Sequence, residues 1–194
     1  MKYDFVEIGT SDFDALIQTA TDTTRGISIE PMQYYLDRLP NPAGVTKLCC
    51  AVSANGQAAM LSMYYVPDAA IREHALPEWL RGCNSIGSYH LQHRKLGIEH
   101  LVQVTHVPAY PLARIFEQHQ VTELDLLKID TEGQDADILL NLADNMLVQP
   151  RKIVFESNEL SDPSKVKAVV DRYVDLGYRV SHAGLDTVLE ISST

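Results

Sequence analysis

Short apolar runs alternate along the chain with segments whose apolar residues recur every three or four positions. That pattern predicts βαβ units and a mostly parallel sheet covered by helices on both faces. Residues 3–8 read as a first strand, ended by Gly9, and Phe13, Leu16, Ile17 and Ala20 recur at helical spacing behind a Ser11 or Asp12 cap. Residues 26–30 read as a second strand, Pro31 suits the first turn of a helix running to Leu36, and residues 45–52 read as a third strand. Residues 58–66 then resemble half of a hairpin turned at Asn55-Gly56, with a further strand at 102–107. Between them, residues 67–100 hold Pro77, Gly82, Gly87, Gly97 and the single tryptophan, Trp79. This stretch is too long for a plain connection and is expected to be an irregular insertion facing the substrate. Regular elements return as a strand at 124–130, a helix at 134–142, a strand at 152–156 and a helix at 163–176. Strands at 178–181 and 187–191 close the chain around a turn at 182–185. At 194 residues the expectation is one domain spanning residues 1–194.

The formal charge of −10 has the wrong sign for a protein that grips a phosphate backbone, so no nucleic-acid partner is expected. Much of the excess lies between Glu123 and Asp137, where six carboxylates face only Lys128. A solvated acidic loop is the plain explanation of such a run, and a cation-loving site is the sharper one. Three cysteines without a C-x-x-C pair indicate neither a disulfide framework nor a zinc site, and adjacent Cys49 and Cys50 would point to opposite faces of a strand. Asp4 and Glu7 interrupt any signal-like apolar opening, and no apolar run is long enough to span a bilayer, so a soluble, cytoplasmic protein with no transmembrane segment is expected.

In open α/β sheets ligands bind beyond the carboxyl ends of the strands. Those ends are Glu7-Ile8-Gly9, Glu30-Pro31, Ala51-Val52-Ser53, Asp130-Thr131-Glu132-Gly133 and Glu156-Ser157-Asn158, and four of the five carry a carboxylate. A dinucleotide requires a G-x-G-x-x-G turn, whereas Gly9-Thr10-Ser11-Asp12-Phe13-Asp14 has a single glycine and acids that repel a pyrophosphate. A nucleoside carrying an ammonium and a sulfonium suits these charges, and S-adenosylmethionine is that molecule. Glu7, Gly9, Thr10, Ser11 and Asp12 are the candidates to meet it in the first turn. Glu30 is placed to accept both ribose hydroxyls, with Pro31, Ala51, Val52 and Ser53 beside it.

Glu7-Ile8-Gly9-Thr10-Ser11, Ile29-Glu30-Pro31, Ala51-Val52-Ser53, Phe155-Glu156 and, most specifically, Leu127-Lys128-Ile129-Asp130-Thr131-Glu132-Gly133 followed by Asp135 resemble FkbM-type S-adenosylmethionine-dependent methyltransferases. The resemblance spans roughly residues 5–189. It implies a class I methyltransferase-like (Rossmann-like) three-layer sandwich, a mostly parallel seven-stranded sheet with an antiparallel last strand. It also implies O-methylation of a hydroxyl on a small molecule, sugar or lipid, and a small polar residue, here Ser85, facing the cofactor. Phe13 departs from the family pattern, standing where a second glycine of the first turn is common. The short stretch before the first strand leaves substrate contacts to residues 67–100 or to a second copy in a homodimer.

Methyl transfer to a hydroxyl needs the acceptor positioned and its proton removed. Asp130 is the candidate catalytic or acceptor-orienting residue, with Glu132 as base or its partner; helix capping is the plainer role open to both. Lys128, in mid-strand, needs a carboxylate neighbour, and Glu7 or Glu156 is nearest in topology. Asp130, Glu156 and Asn158 would also suit Mg2+ in a metal-assisted variant. His90, His93 and His106 are candidates for substrate contact only. A non-catalytic nucleoside- or partner-binding module on the same fold is the competing class.

Overall fold

The computed structural model of the chain describes residues 1–145 and 148–191. Its main sheet is built from β1 (Lys2–Ile8), β2 (Gly26–Ile29), β3 (Val45–Leu48), β8 (Glu123–Ile129), β9 (Lys152–Glu156), β10 (Tyr178–Ala183) and β11 (Asp186–Ile191). The seven strands run in the order β10-β11-β9-β8-β1-β2-β3, and β11, the last in the chain, is antiparallel to both neighbours. This is the expected mostly parallel α/β architecture. Val6, Ile8, Ile27, Ile29, Leu127, Ile129, Ile153 and Phe155 fill its core, as a sheet covered on both faces demands. From β1 the chain proceeds outward through β2 and β3, and later returns to lay β8 and β9 on the other side. The order of strands therefore reverses between β1 and β8, and the crevice opens at their carboxyl ends.

Helices α1 (Gln33–Leu36), α4 (Leu112–Gln118), α5 (Asp135–Asp144) and α6 (Pro163–Asp175) accompany this sheet. The α6 boundary follows from its sequence: Asp162 accepts the Ser164 N–H at 2.8 Å, and Pro163 begins the first turn, where its missing N–H leaves nothing unpaired. The helix expected after β1 is instead a single 3-10 turn, Leu16–Thr19. Ser11 and Asp14 both take left-handed φ angles before it, and Thr21 hydrogen-bonds to Thr23 and Thr24 after it, so the apolar periodicity has no room to propagate. Ile17 and Ala15 still pack against Phe5, Leu36 and Leu39.

The expected strand at 45–52 divides. The Cys50 N–H bonds back to the Leu48 carbonyl at 3.1 Å, and β4 (Ala51–Val52) leaves for a second sheet with β5 (Ala59–Tyr65), β6 (Ser85–Ile86) and β7 (Gln103–Tyr110), in the order β4-β7-β5-β6. Cys49 is exposed and Cys50 buried, but both lie in the break between β3 and β4, not on a strand. In the second sheet β5 (Ala59–Tyr65) lies antiparallel to β7 (Gln103–Tyr110), which also pairs parallel with β4. Asn55-Gly56 therefore turns the chain without closing a hairpin of β4 on β5, because β7 lies between them.

Residues 66–102 connect β5 to β7, add β6 to the far edge of this sheet beside β5, and return with Tyr65 opposite Gln103. They form α2 (Asp68–Glu73), β6 (Ser85–Ile86), α3 (Leu91–Lys95) and two 3-10 turns around a core of Val66, Ile71, Leu80, Cys83 and Ile98. Among the described residues no helix is long and apolar enough to cross a membrane.

Candidate active site

The parallel register of β1 and β8 sets Glu7 beside Lys128. Glu7 has no exposure to solvent; one carboxylate oxygen meets the Lys128 ammonium at 2.9 Å and the other accepts the Leu16 N–H at 2.8 Å. Burial raises its pKa against the opposing pull of Lys128. Glu7 thus braces the base of the site and is absent from the cleft wall.

One residue further on, Gly9 adopts φ +81°, and a Cβ there would fall 1.7 Å from the Asp130 carbonyl oxygen. Only glycine lets the first turn cross the end of β8 this closely. The turn then reaches Ser11, whose N–H donates to Glu30 at 2.9 Å, while the Met32 N–H reaches the other oxygen of the same carboxylate at 2.9 Å. Burial pushes Glu30 up to about 7, and Asp12 adds to the rise while the two N–H groups oppose it. Each Glu30 oxygen keeps lone-pair capacity for a ligand hydroxyl.

These residues line a cleft of about 560 Å³, open mouth included, beyond the ends of β1, β2 and β8. Glu30, Pro31, Ala51 and Val52 line it together with Gly9, Ser11, Asp130 and Glu132. Gly82, Asn84 and Ile86 from the 66–102 segment form part of its wall. An adjoining space of about 460 Å³ shares Gly9, Ser11, Asp130 and Glu132 and adds Thr10, Phe13 and Lys128. Ser53, Ser85 and Asp12 stand off both walls. Ser85 donates to the Ser88 carbonyl at 2.7 Å, and Asp12 holds Arg38 at 2.7 Å and Arg81 at 3.0 Å, tying the first turn to the 66–102 segment.

At the end of β8 burial, Glu132 and Asp135 push Asp130 up to about 7. Burial, Asp130 and Glu132 push Glu156 up to about 8, and one buried Glu156 oxygen has no partner. Asp135, almost wholly buried at the start of α5, accepts from the Thr131 hydroxyl at 2.8 Å, and no side-chain cap bond is made at the Gln134 N-cap. Asp130 and Glu132 are left to the cleft. Glu132 has φ +56°, an uncommon conformation for a residue with a side chain, and lies 2.9 Å from His90 Nε2. That contact joins residues 42 apart in sequence and had no local signal.

A Mg2+ site at Asp130, Glu156 and Asn158 is not supported. The Asn158 side-chain oxygen is taken by the Leu160 N–H at 2.7 Å. Among the described residues, the His, Cys and acidic side chains that converge within 4.8 Å are Cys83, His90 and Glu132. That donor set includes none of the three expected residues.

A seven-stranded sheet with this order, one glycine at the first crossover and acids at the strand ends around the switch point defines a methyltransferase-like α/β protein. The methyltransferase FkbM domain family matches residues 7–180, and the chain belongs to it. No match was found among curated proteins or among solved structures.

Proposed function

We propose that this protein is an S-adenosylmethionine-dependent O-methyltransferase acting on a hydroxyl of a small molecule, sugar or lipid. The observation that carries the reading is the presence, in one cleft, of the buried Glu30 carboxylate just past β2 and of Asp130 and Glu132 just past β8. The residues fit the donor. Glu30, Pro31, Ala51 and Val52 would hold its nucleoside, and the cleft's carboxylates suit its positive charge. When bound, S-adenosylmethionine supplies an electrophilic methyl group on a sulfonium.

The chain's own part is to hold the acceptor oxygen in line and accept its proton. Asp130 suits that task because its carboxyl, pushed up to about 7, exchanges protons near neutrality, where general bases work best. Glu132 shares the cleft as partner or base, and Lys128 with Glu7 keeps the end of β8 in place. Calorimetric titration with S-adenosylmethionine should give micromolar binding, and incubation with an acceptor extract should release S-adenosylhomocysteine. Absence of binding at millimolar donor would overturn the proposal; binding without product would indicate a non-catalytic module.

A further inference from the structure

His90 stands just before α3, 3% exposed, and its two ring nitrogens face different elements. Nδ1 lies 3.1 Å from the Gln92 N–H, one of the donors that the start of a helix leaves unpaired. Nε2 lies 2.9 Å from a Glu132 carboxylate oxygen. A backbone N–H can only donate, so Nδ1 is bare and the ring proton sits on Nε2, which donates to Glu132. The tautomer is thus set by the backbone of the 66–102 segment, and the ring is further confined by His93, buried edge to face against it with centroids 5.6 Å apart.

From this geometry we infer that His90 is a positioning residue. Its Nε2–H holds the Glu132 carboxylate in place at the cleft, and folding of the 66–102 segment is thereby a condition for activity. The inference rests on Glu132 working in the proposed reaction.

Cys83 completes a cluster with these two side chains, but its protons argue against a metal. The Cys83 thiol faces the Trp79 carbonyl at 4.0 Å as a weak donor, and His90 Nε2 already carries hydrogen. A divalent ion would have to displace both protons and unseat the Gln92 cap. The cluster is a hydrogen-bonded pair beside a protonated thiol.

Two substitutions separate the two nitrogens. In His90→Asn the amide oxygen takes the place of Nδ1 and caps Gln92, but nothing reaches Glu132. In His90→Gln the amide nitrogen takes the place of Nε2 and donates to Glu132, but Gln92 loses its cap.

With the intact chain, labelled S-adenosylmethionine and a small-molecule extract as acceptor, kcat should fall about tenfold or more in His90→Asn, with donor KM little changed. His90→Gln should keep kcat within about threefold of the parent. Melting temperature should follow the opposite order, near the parent for Asn and lower for Gln. A residue needed only for folding would lose activity and stability together. Wild-type kcat in His90→Asn, or one bound zinc per chain in the purified protein, overturns the inference.

Glu132→Gln is measured alongside: full turnover there refutes the catalytic reading itself and is distinguishable from failure at His90. Nitrogen-15 signals of the His90 ring give a readout free of turnover. They should report an Nε2–H tautomer whose Nε2 signal moves in Glu132→Gln, and an Nδ1–H tautomer overturns the inference.

Discussion

Replacing Lys128 by methionine would remove the ammonium 2.9 Å from one oxygen of the fully buried Glu7 carboxylate and leave only the Leu16 N–H on the other. Removing one member of a buried pair costs ~3–5 kcal/mol, because the other charge stays desolvated. The Lys128 side chain keeps a quarter of its exposure, so water screens the pair in part and the lower end, about 3 kcal/mol, applies. A chain of this size loses ~2–4 °C of melting temperature per kcal/mol, so the variant should melt roughly 6–12 °C lower. Glu7→Gln added to Lys128→Met keeps an acceptor for Leu16 and removes the stranded charge, so the double variant should recover most of the loss.

The pH dependence of the single variant has a definite sign. Glu7 is already raised above its ordinary value, and without Lys128 its folded-state pKa rises further. A raised carboxyl binds its proton more tightly in the folded state, so stability falls as pH climbs through the folded pKa. The deficit of Lys128→Met should therefore be widest near pH 8 and narrow toward pH 5. Calorimetry across that range tests the reasoning. A deficit below about 1 kcal/mol at pH 8, or a double variant whose losses simply add, would refute it.

Asp130→Asn should lower turnover by about a hundredfold or more while donor affinity changes by only a few fold; undiminished turnover would remove Asp130 from the chemistry. The ligand-free protein should melt highest near pH 5 and progressively lower toward pH 8. Glu30, Asp130 and Glu156 stand at about 7, 7 and 8 in the fold against ordinary values of 4.5, 3.8 and 4.5, so ionising them opposes folding. A melting temperature that rises across this interval would contradict the burial of these carboxyls. The same ionisation favours a cationic donor, so S-adenosylmethionine should bind more tightly at pH 8 than at pH 6.

The main sheet was legible because its strands are short apolar runs buried on both faces, and β1, β8 and β9 fall within a residue or two of their sequence limits. The Lys128 pairing was legible too, since a lysine in mid-strand demands a carboxylate and few lie within reach. The second sheet was not. Ala51-Val52 is too short to show periodicity, and Asn55-Gly56 signals a hairpin between strands that β7 separates. Helix α4 was missed although Leu112, Ile115 and Phe116 carry a helical spacing and bury together behind Pro111.

At the site, Asp130, Glu132 and Glu30 could be read from their positions at strand ends. The inward turn of Glu7 toward Lys128 follows from register, which a single strand does not reveal. The seating of His90 on Glu132 depends on how an independently cored segment docks, and no local pattern encodes that.

The antiparallel pairing of β5 with β7 gives residues 66–102 an entrance and an exit that are neighbours, Tyr65 against Gln103. Changing the length of a segment whose ends already touch costs little, since closure entropy grows only with the logarithm of loop length. The segment is therefore a cassette. Its own core of Val66, Ile71, Leu80, Cys83 and Ile98 can be repacked while the seven-stranded sheet stays as it is. In this architecture the 66–102 segment can change in length away from the cleft without reopening the sheet, so long as His90 and Arg81 keep their contacts with Glu132 and Asp12.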